Sequence, residues 1–157
     1  MSNFTNSKLV TYTKLSPNCT KPRNHEIDTI TIHVMAGNIT VETCGNIFAS
    51  PNRKASSNYG VGTDGRIALY CDEANRSWCS SNPSNEHRAI TIVVANSVAK
   101  DPWPISDKAM ESLILLCTDI CKRNGIKKLL WKADKSLIGQ VDKQNMTVHR
   151  WFAPIVS

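Results

Sequence analysis

The chain has 157 residues, 41% of them hydrophobic and 20% charged, which suits one domain with its own core and excludes a disordered chain. No apolar run approaches the roughly 20 residues that cross a bilayer. Met1 to Ser7 are polar and lack the apolar centre of an export signal, so synthesis in the cytoplasm without a signal peptide is expected.

A formal charge of +6 is compatible with nucleic acid, anionic lipid or an acidic wall polymer as partner. The basic residues are scattered, however. Lys127-Lys128 and Lys132 to Lys135 are the local concentrations, and neither is interleaved with aromatics for base stacking. A nucleic-acid partner therefore rests on charge alone and is not expected, and neither is membrane insertion.

In chain order, residues 1–24 read as an irregular arm broken by Pro17, Asn18 and Pro22. From Ile27 to Val34 the pattern alternates, with Ile30, Ile32 and Val34 on one face and Thr29, Thr31 and His33 on the other, which predicts a strand. Thr40 can cap a short helix through Phe48, with Glu42 near its positive end. Asn58 to Val61 is β-like and leads through the turn dipeptide Asp64-Gly65 into Arg66 to Cys71. Asn75 to Glu86 reads as a polar loop broken by Pro83, and Ala89 to Ala95 as a second strong strand.

Ser106 is a candidate N-cap for a helix whose stripe is Met110, Leu113, Ile114, Cys117, Ile120 and Cys121, with Gly125 as its stop. Lys128 to Trp131 reads as a final core strand, and Met146 to His149 as a short β segment before a terminal loop. Strands and helices mix without a strict βαβ rhythm, so the expected class is an α/β or α+β sheet covered by helices.

Six cysteines are present, but the chain can fold without staples and carries no export signal, so reduced thiols are expected. Cys44, Cys117 and Cys121 fall on apolar helical faces, and the absence of a C-x-x-C pair argues against a cysteine-only zinc site. Of the four histidines, His25, His33, His87 and His149, two end β-like segments: His33 and His149. Side chains at such positions can converge at one end of a sheet, although no local spacing joins these two.

Five ordered blocks carry a family resemblance: Ile30 to Asn38, Ala55 to Gly62, Asn75 to Asn82, His87 to Ile92 and Met146 to Pro154. Together they resemble the amidase-2 family of N-acetylmuramoyl-L-alanine amidases, related to peptidoglycan-recognition proteins, and fit its clostridial phage and sporulation members. The resemblance implies a single α/β domain over residues 1–157, with a mixed central sheet flanked by helices. It also implies a zinc cofactor, with His33 and His149 in the two histidine-ligand roles. In the family a cysteine, or an aspartate in some members, completes the set and water takes the open position.

The sequence departs from the family at three places. Val93 stands where relatives carry a glutamate, Ser57 where peptidoglycan-recognition amidases carry a tyrosine, and Ser157 where the family cysteine follows the second histidine. The usual Pro-Gly and further helix at the C-terminal end of the family domain do not follow. Ser157, through its hydroxyl or a terminal carboxylate, is the candidate third zinc ligand; the catalytic proton carrier is left unassigned.

For Trp78, lining a glycopeptide groove and packing on the sheet edge are both open. Asn58 can offer an amide near the site, with a structural hydrogen bond as its favoured use. The implied function is zinc-dependent hydrolysis of the amide between N-acetylmuramic acid and L-alanine in bacterial peptidoglycan, of the endolysin or autolysin type. Such a protein acts on the cell wall after release from the cytoplasm. The alternative is an impaired peptidoglycan-binding domain that keeps the fold but lacks the catalytic carboxylate and the third ligand.

Overall fold

The structure is a computed structural model that describes residues 4–148 and 151–152. His149 and Ser157, two of the expected zinc ligands, lie outside the described residues.

Among the described residues, eight strands and three α-helices follow in order: β1 Tyr12–Thr13, β2 Cys19–Thr20, β3 Thr29–Val34, α1 Val41–Ala49, β4 Tyr59–Val61, β5 Ile67–Leu69, β6 Arg76–Ser77, α2 Pro83–Arg88, β7 Ala89–Val94, α3 Asp107–Arg123 and β8 Met146–Val148. Six strands form one sheet in the order β1-β5-β4-β7-β3-β8. Its neighbours are parallel except for β4 and β5, which are joined through the Asp64-Gly65 turn with Gly65 at φ 86°. β2 and β6 pair separately and antiparallel. The expected mixed α/β sheet flanked by helices is the observed architecture.

Each face of the sheet has its own core. On one face Ile30, Ile90, Ile92 and Val94 pack with Leu113, Leu116 and Ile120 of α3. On the other, Val93 and Ala68 pack with Val41 and Cys44 of α1 and with Tyr70. The Tyr70 ring lies so close to β4 that a Cβ at Gly60 would sit 2.5 Å from it, and its hydroxyl donates to Val41 O at 2.7 Å. A glycine in β4 thus lets the aromatic ring bridge sheet and helix.

Four elements differ from the sequence reading. The arm contains β1, an edge strand parallel to β5, and β2. Pro83 starts α2 instead of breaking the chain: it stands in the first turn after the Asn82 cap, where a missing N–H costs nothing. The buried face of α3 is Ala109, Leu113, Leu116, Cys117 and Ile120, which leaves Met110 and Ile114 exposed. Lys128 to Trp131 is not a strand. Instead Leu130 exchanges hydrogen bonds with Asn145, and Trp131 stacks on Trp151 with centroids 5.2 Å apart.

Candidate functional site

The Thr29–Val34 strand brings His33 to the C-terminal end of the sheet, beside Val93 of β7 in register. The pleat turns both away from the α3 core and toward α1. There they line a cavity of about 260 Å³ with Met35, Ile39, Cys44, Ile47, Phe48, Arg53, Ser56, Trp78 and Cys79 among its walls. Ligands commonly bind beyond the carboxyl ends of parallel strands. A wider groove of about 610 Å³ lies against α3, lined by Met110, Ile114, Cys117, Leu129 and lysines. Among the described residues it is lined by no histidine or carboxylate, so the smaller cavity is the better chemical candidate.

One pleat step below His33 and Val93, threonines replace apolar side chains on the same face. Thr31 receives Asn85 Nδ2 at 2.8 Å and lies 2.8 Å from the Thr147 hydroxyl. Thr91 lies 2.6 Å from the Ser77 hydroxyl and its N–H donates to Asn58 Oδ1 at 3.0 Å. All five side chains named here, and Asn58, are buried. With each polar atom partnered, this layer forms a rigid floor under the cavity.

The arm braces one wall. Asn18 Nδ2 donates to Phe48 O, Ser50 O and Ala55 O at 3.0, 2.9 and 3.1 Å, and Asn18 O accepts the Ser56 hydroxyl at 2.6 Å. Ser56 Oγ in turn accepts Trp78 N at 3.1 Å, and the Trp78 indole N–H donates to Thr20 Oγ1 at 2.9 Å.

The expected site residues therefore separate. His33, Val93 and Trp78 meet at the cavity. Asn58 does not reach it: the side chain is fully buried and donates to Cys71 O and Asp72 O, both at 3.2 Å, so its amide is structural. Ser57 is also fully buried, with its hydroxyl on Tyr59 O at 2.8 Å. His25 is exposed and His87 Nδ1 accepts Asn24 N at 3.0 Å, away from this cavity.

Cys79 and Arg53 line the cavity without having been singled out from the sequence, and Cys44, expected only on an apolar helical face, joins them. Cys44, Ile47 and Phe48, at helical spacing, were the only available signal. Burial pushes the Cys79 thiol up to about 12, with nearby Glu86 adding to the effect, and Cys44 up to about 11. Among the described residues no group of three His, Cys, Asp or Glu side chains could hold a metal ion. His33 is the described histidine at the cavity, and the described residues alone do not make a zinc site.

Strand β8 adds a second relevant edge. It runs parallel to β3 in the register Ile30↔Met146, Thr31↔Thr147 and Ile32↔Val148. The next residues along the two segments of chain are His33 and His149.

A family model described as N-acetylmuramoyl-L-alanine amidase matches residues 23–148. No curated protein matches the chain in sequence. Among solved structures, a selenomethionine derivative of AmpD is similar in fold, with a TM-score of 0.70 at 15% identity, covering 100% of this chain and 90% of that one. The Staphylococcus aureus hydrolase AmiA, solved with its ligand, gives 0.65 at 15% identity, with coverages of 91% and 68%. The endolysin N-acetylmuramoyl-L-alanine amidase LysCS from Clostridium intestinale gives 0.60 at 17% identity, with coverages of 93% and 82%. The family match takes in β3, the cavity and β8 together, and by it the chain belongs to the Amidase_2 family of N-acetylmuramoyl-L-alanine amidases.

Proposed function

We propose that the chain hydrolyses the amide between N-acetylmuramic acid and L-alanine in bacterial peptidoglycan, as a single zinc-dependent domain of the endolysin or autolysin type acting at the cell wall. The observation that carries this reading is the position of His33, on a central strand at the cavity, with β8 registered beside it so that His149 follows Val148. His33 and His149 are assigned as zinc ligands, with Ser157 as the candidate third. Zinc held there supplies Lewis acidity to the scissile carbonyl and to the attacking water.

The chain's own contribution is binding and orientation. The buried threonine layer fixes the strand that presents His33, and Trp78, held through its indole N–H, offers a flat apolar wall to a sugar or peptide. Val93 contributes no proton transfer. It is 2% exposed and apolar at the position facing His33 in register, which favours slow turnover or, as the second reading, binding without cleavage.

The test compares zinc content and release of muramoyl-linked peptides from wall material for the wild type, His33→Ala, and Val93→Glu combined with Ser157→Cys. Wild-type release is expected to be slow and to vanish with zinc content in His33→Ala. The double variant should gain about 100-fold or more, the usual contribution of a positioned general base. Unchanged release by His33→Ala would overturn the assignment. Wall binding without release by the wild type would establish the second reading.

A further inference from the structure

The arm that braces the cavity also brings two thiols together. Ser16 N donates to Tyr70 O at 2.8 Å, fastening the arm beside the end of β5, and the Cys19 thiol lies 3.6 Å from Ser16 O. Cys71, directly after Tyr70, has its sulfur 3.7 Å from Asp72 O and 3.8 Å from Asn75 O. Ser16 touches both segments, with its N–H on the carbonyl of the residue before Cys71 and its own carbonyl on the Cys19 sulfur, and both thiols are free. Their backbones are anchored on both sides, Cys19 by pairing with Ser77 and Cys71 through its N–H on Asn58 O at 3.3 Å.

The residues flanking Cys19 are those that hold the cavity wall. Asn18 O accepts the Ser56 hydroxyl and Thr20 Oγ1 accepts the Trp78 indole, while Ser56 and Trp78 line the cavity with His33. A covalent link at Cys19 therefore fixes the backing of that wall.

We propose that Cys19 and Cys71 are a redox-sensitive pair that closes to a disulfide on meeting a low-molecular-weight disulfide, locking the arm onto the sheet behind the cavity. Cys19 is half-buried whereas Cys71 is 1% exposed, so the oxidant meets Cys19 first. Cys71, together with Lys21, holds the Cys19 thiol below its ordinary value. Cys19 in turn, with burial, pushes Cys71 up.

The Cys19 thiolate attacks one sulfur of the oxidant and breaks its S–S bond. One thiolate leaves and takes up a proton, and a mixed disulfide remains on Cys19. Cys71 then gives its proton to solvent, and its sulfur attacks the Cys19 sulfur and expels the second thiolate, which is protonated in turn. Two protein thiols are oxidised by two electrons and the oxidant is reduced to two thiols. The pair thereby registers passage from a reducing to an oxidising compartment.

The experiment incubates the full chain with reduced and oxidised glutathione in varied ratio, quenches by alkylation, and follows thiol count, peptide mass mapping and thermal melting. Expected are loss of two of the six thiols, a linked peptide containing Cys19 and Cys71, and a rise in Tm on the order of 5–15 °C that dithiothreitol reverses. Cys19→Ser and, as a second variant, Cys71→Ser should each abolish the linked peptide and the rise while keeping the native circular dichroism spectrum. Retention of all six thiols by folded wild-type protein in oxidised glutathione would overturn the proposal. Arrest at a glutathione adduct on Cys19, or linkage of any other pair, would overturn it equally, and mapping of the wild type decides this even where a variant misfolds.

Discussion

Glu86 shows how a single buried side chain can carry a pH signature. It is fully buried within α2, accepts Ser80 N at 2.7 Å, and has Arg76 Nε 3.3 Å from its other oxygen. That ion pair is misaligned, and neither Arg76 Nε nor Glu86 Oε1 completes a hydrogen bond. Burial raises the Glu86 carboxyl above its ordinary value despite the Arg76 charge. The folded state therefore holds this proton at a pH where the unfolded chain has released it. Its contribution to stability is complete below the unfolded value and is lost as pH rises through the folded one. In urea unfolding across that window the wild type should lose stability relative to Glu86→Gln, whose side chain does not titrate. A difference between the two proteins that stays constant with pH would refute the assignment.

Residue identity alone spoke clearly for the face that presents His33, and the structural hydrogen bond favoured for Asn58 is the one observed. Alternation over Ile30 to Val34 set the face on which His33 emerges, and the structure places it there. Ser57 and Asn58 precede a three-residue strand, too short a run to reveal which neighbours enclose it. Their burial depends on Cys71, Asp72 and Thr91, which come from elsewhere in the chain.

Among the elements, those with local signals were legible. Thr40 caps α1 through Thr43 N at 3.1 Å, and Ser106 caps α3 through Ala109 N at 3.1 Å, as their positions before apolar stripes predict. Ser106 does more than the sequence signals, since its hydroxyl also donates to Thr63 O at 2.7 Å. Ser106→Ala is expected to lower stability by about 1–2 kcal/mol, the usual cost of a lost cap, measured by urea denaturation with an unchanged far-UV spectrum. A loss below about 0.5 kcal/mol would mean that water replaces the cap. The buried stripe of α3 was misplaced because Met110 and Ile114 fit helical spacing as well as Leu116 does. Only the position of the sheet selects among them. Lys128 to Trp131 fails as a strand because side chains take the place of a backbone ladder: Leu130 N–H donates to Asn145 Oδ1, Lys128 O accepts Asn145 Nδ2, and the next residue's N–H, on Lys132, donates to Gln144 Oε1.

Across the whole molecule, one arginine ties the arm to the body. Arg23 is 4% exposed and donates to Glu73 O, Asn75 O, His87 O and Ala89 O at 2.6, 3.0, 2.8 and 3.2 Å. Burial lowers its pKa to about 10, so the guanidinium is still charged at neutral pH. Arg23→Met is expected to cost more than about 3 kcal/mol, because several buried carbonyls lose their donor together, with early loss of amide protection in residues 12–20. Wild-type stability in that variant would show the hub to be dispensable.

By itself the sequence determined the class of fold, the two central strands, the caps of the long helices and the face that presents His33. These follow from periodicities and capping patterns that adjacent residues express. Only the tertiary structure decided that Cys44, Arg53 and Cys79 line the cavity, that Asn18 braces its wall from behind, that Asn58 is spent on the floor beneath it, and that the Cys19 segment is fastened beside Cys71. Each of those outcomes depends on partners far along the chain, brought close by strand order and burial, and short-range patterns do not encode such proximity.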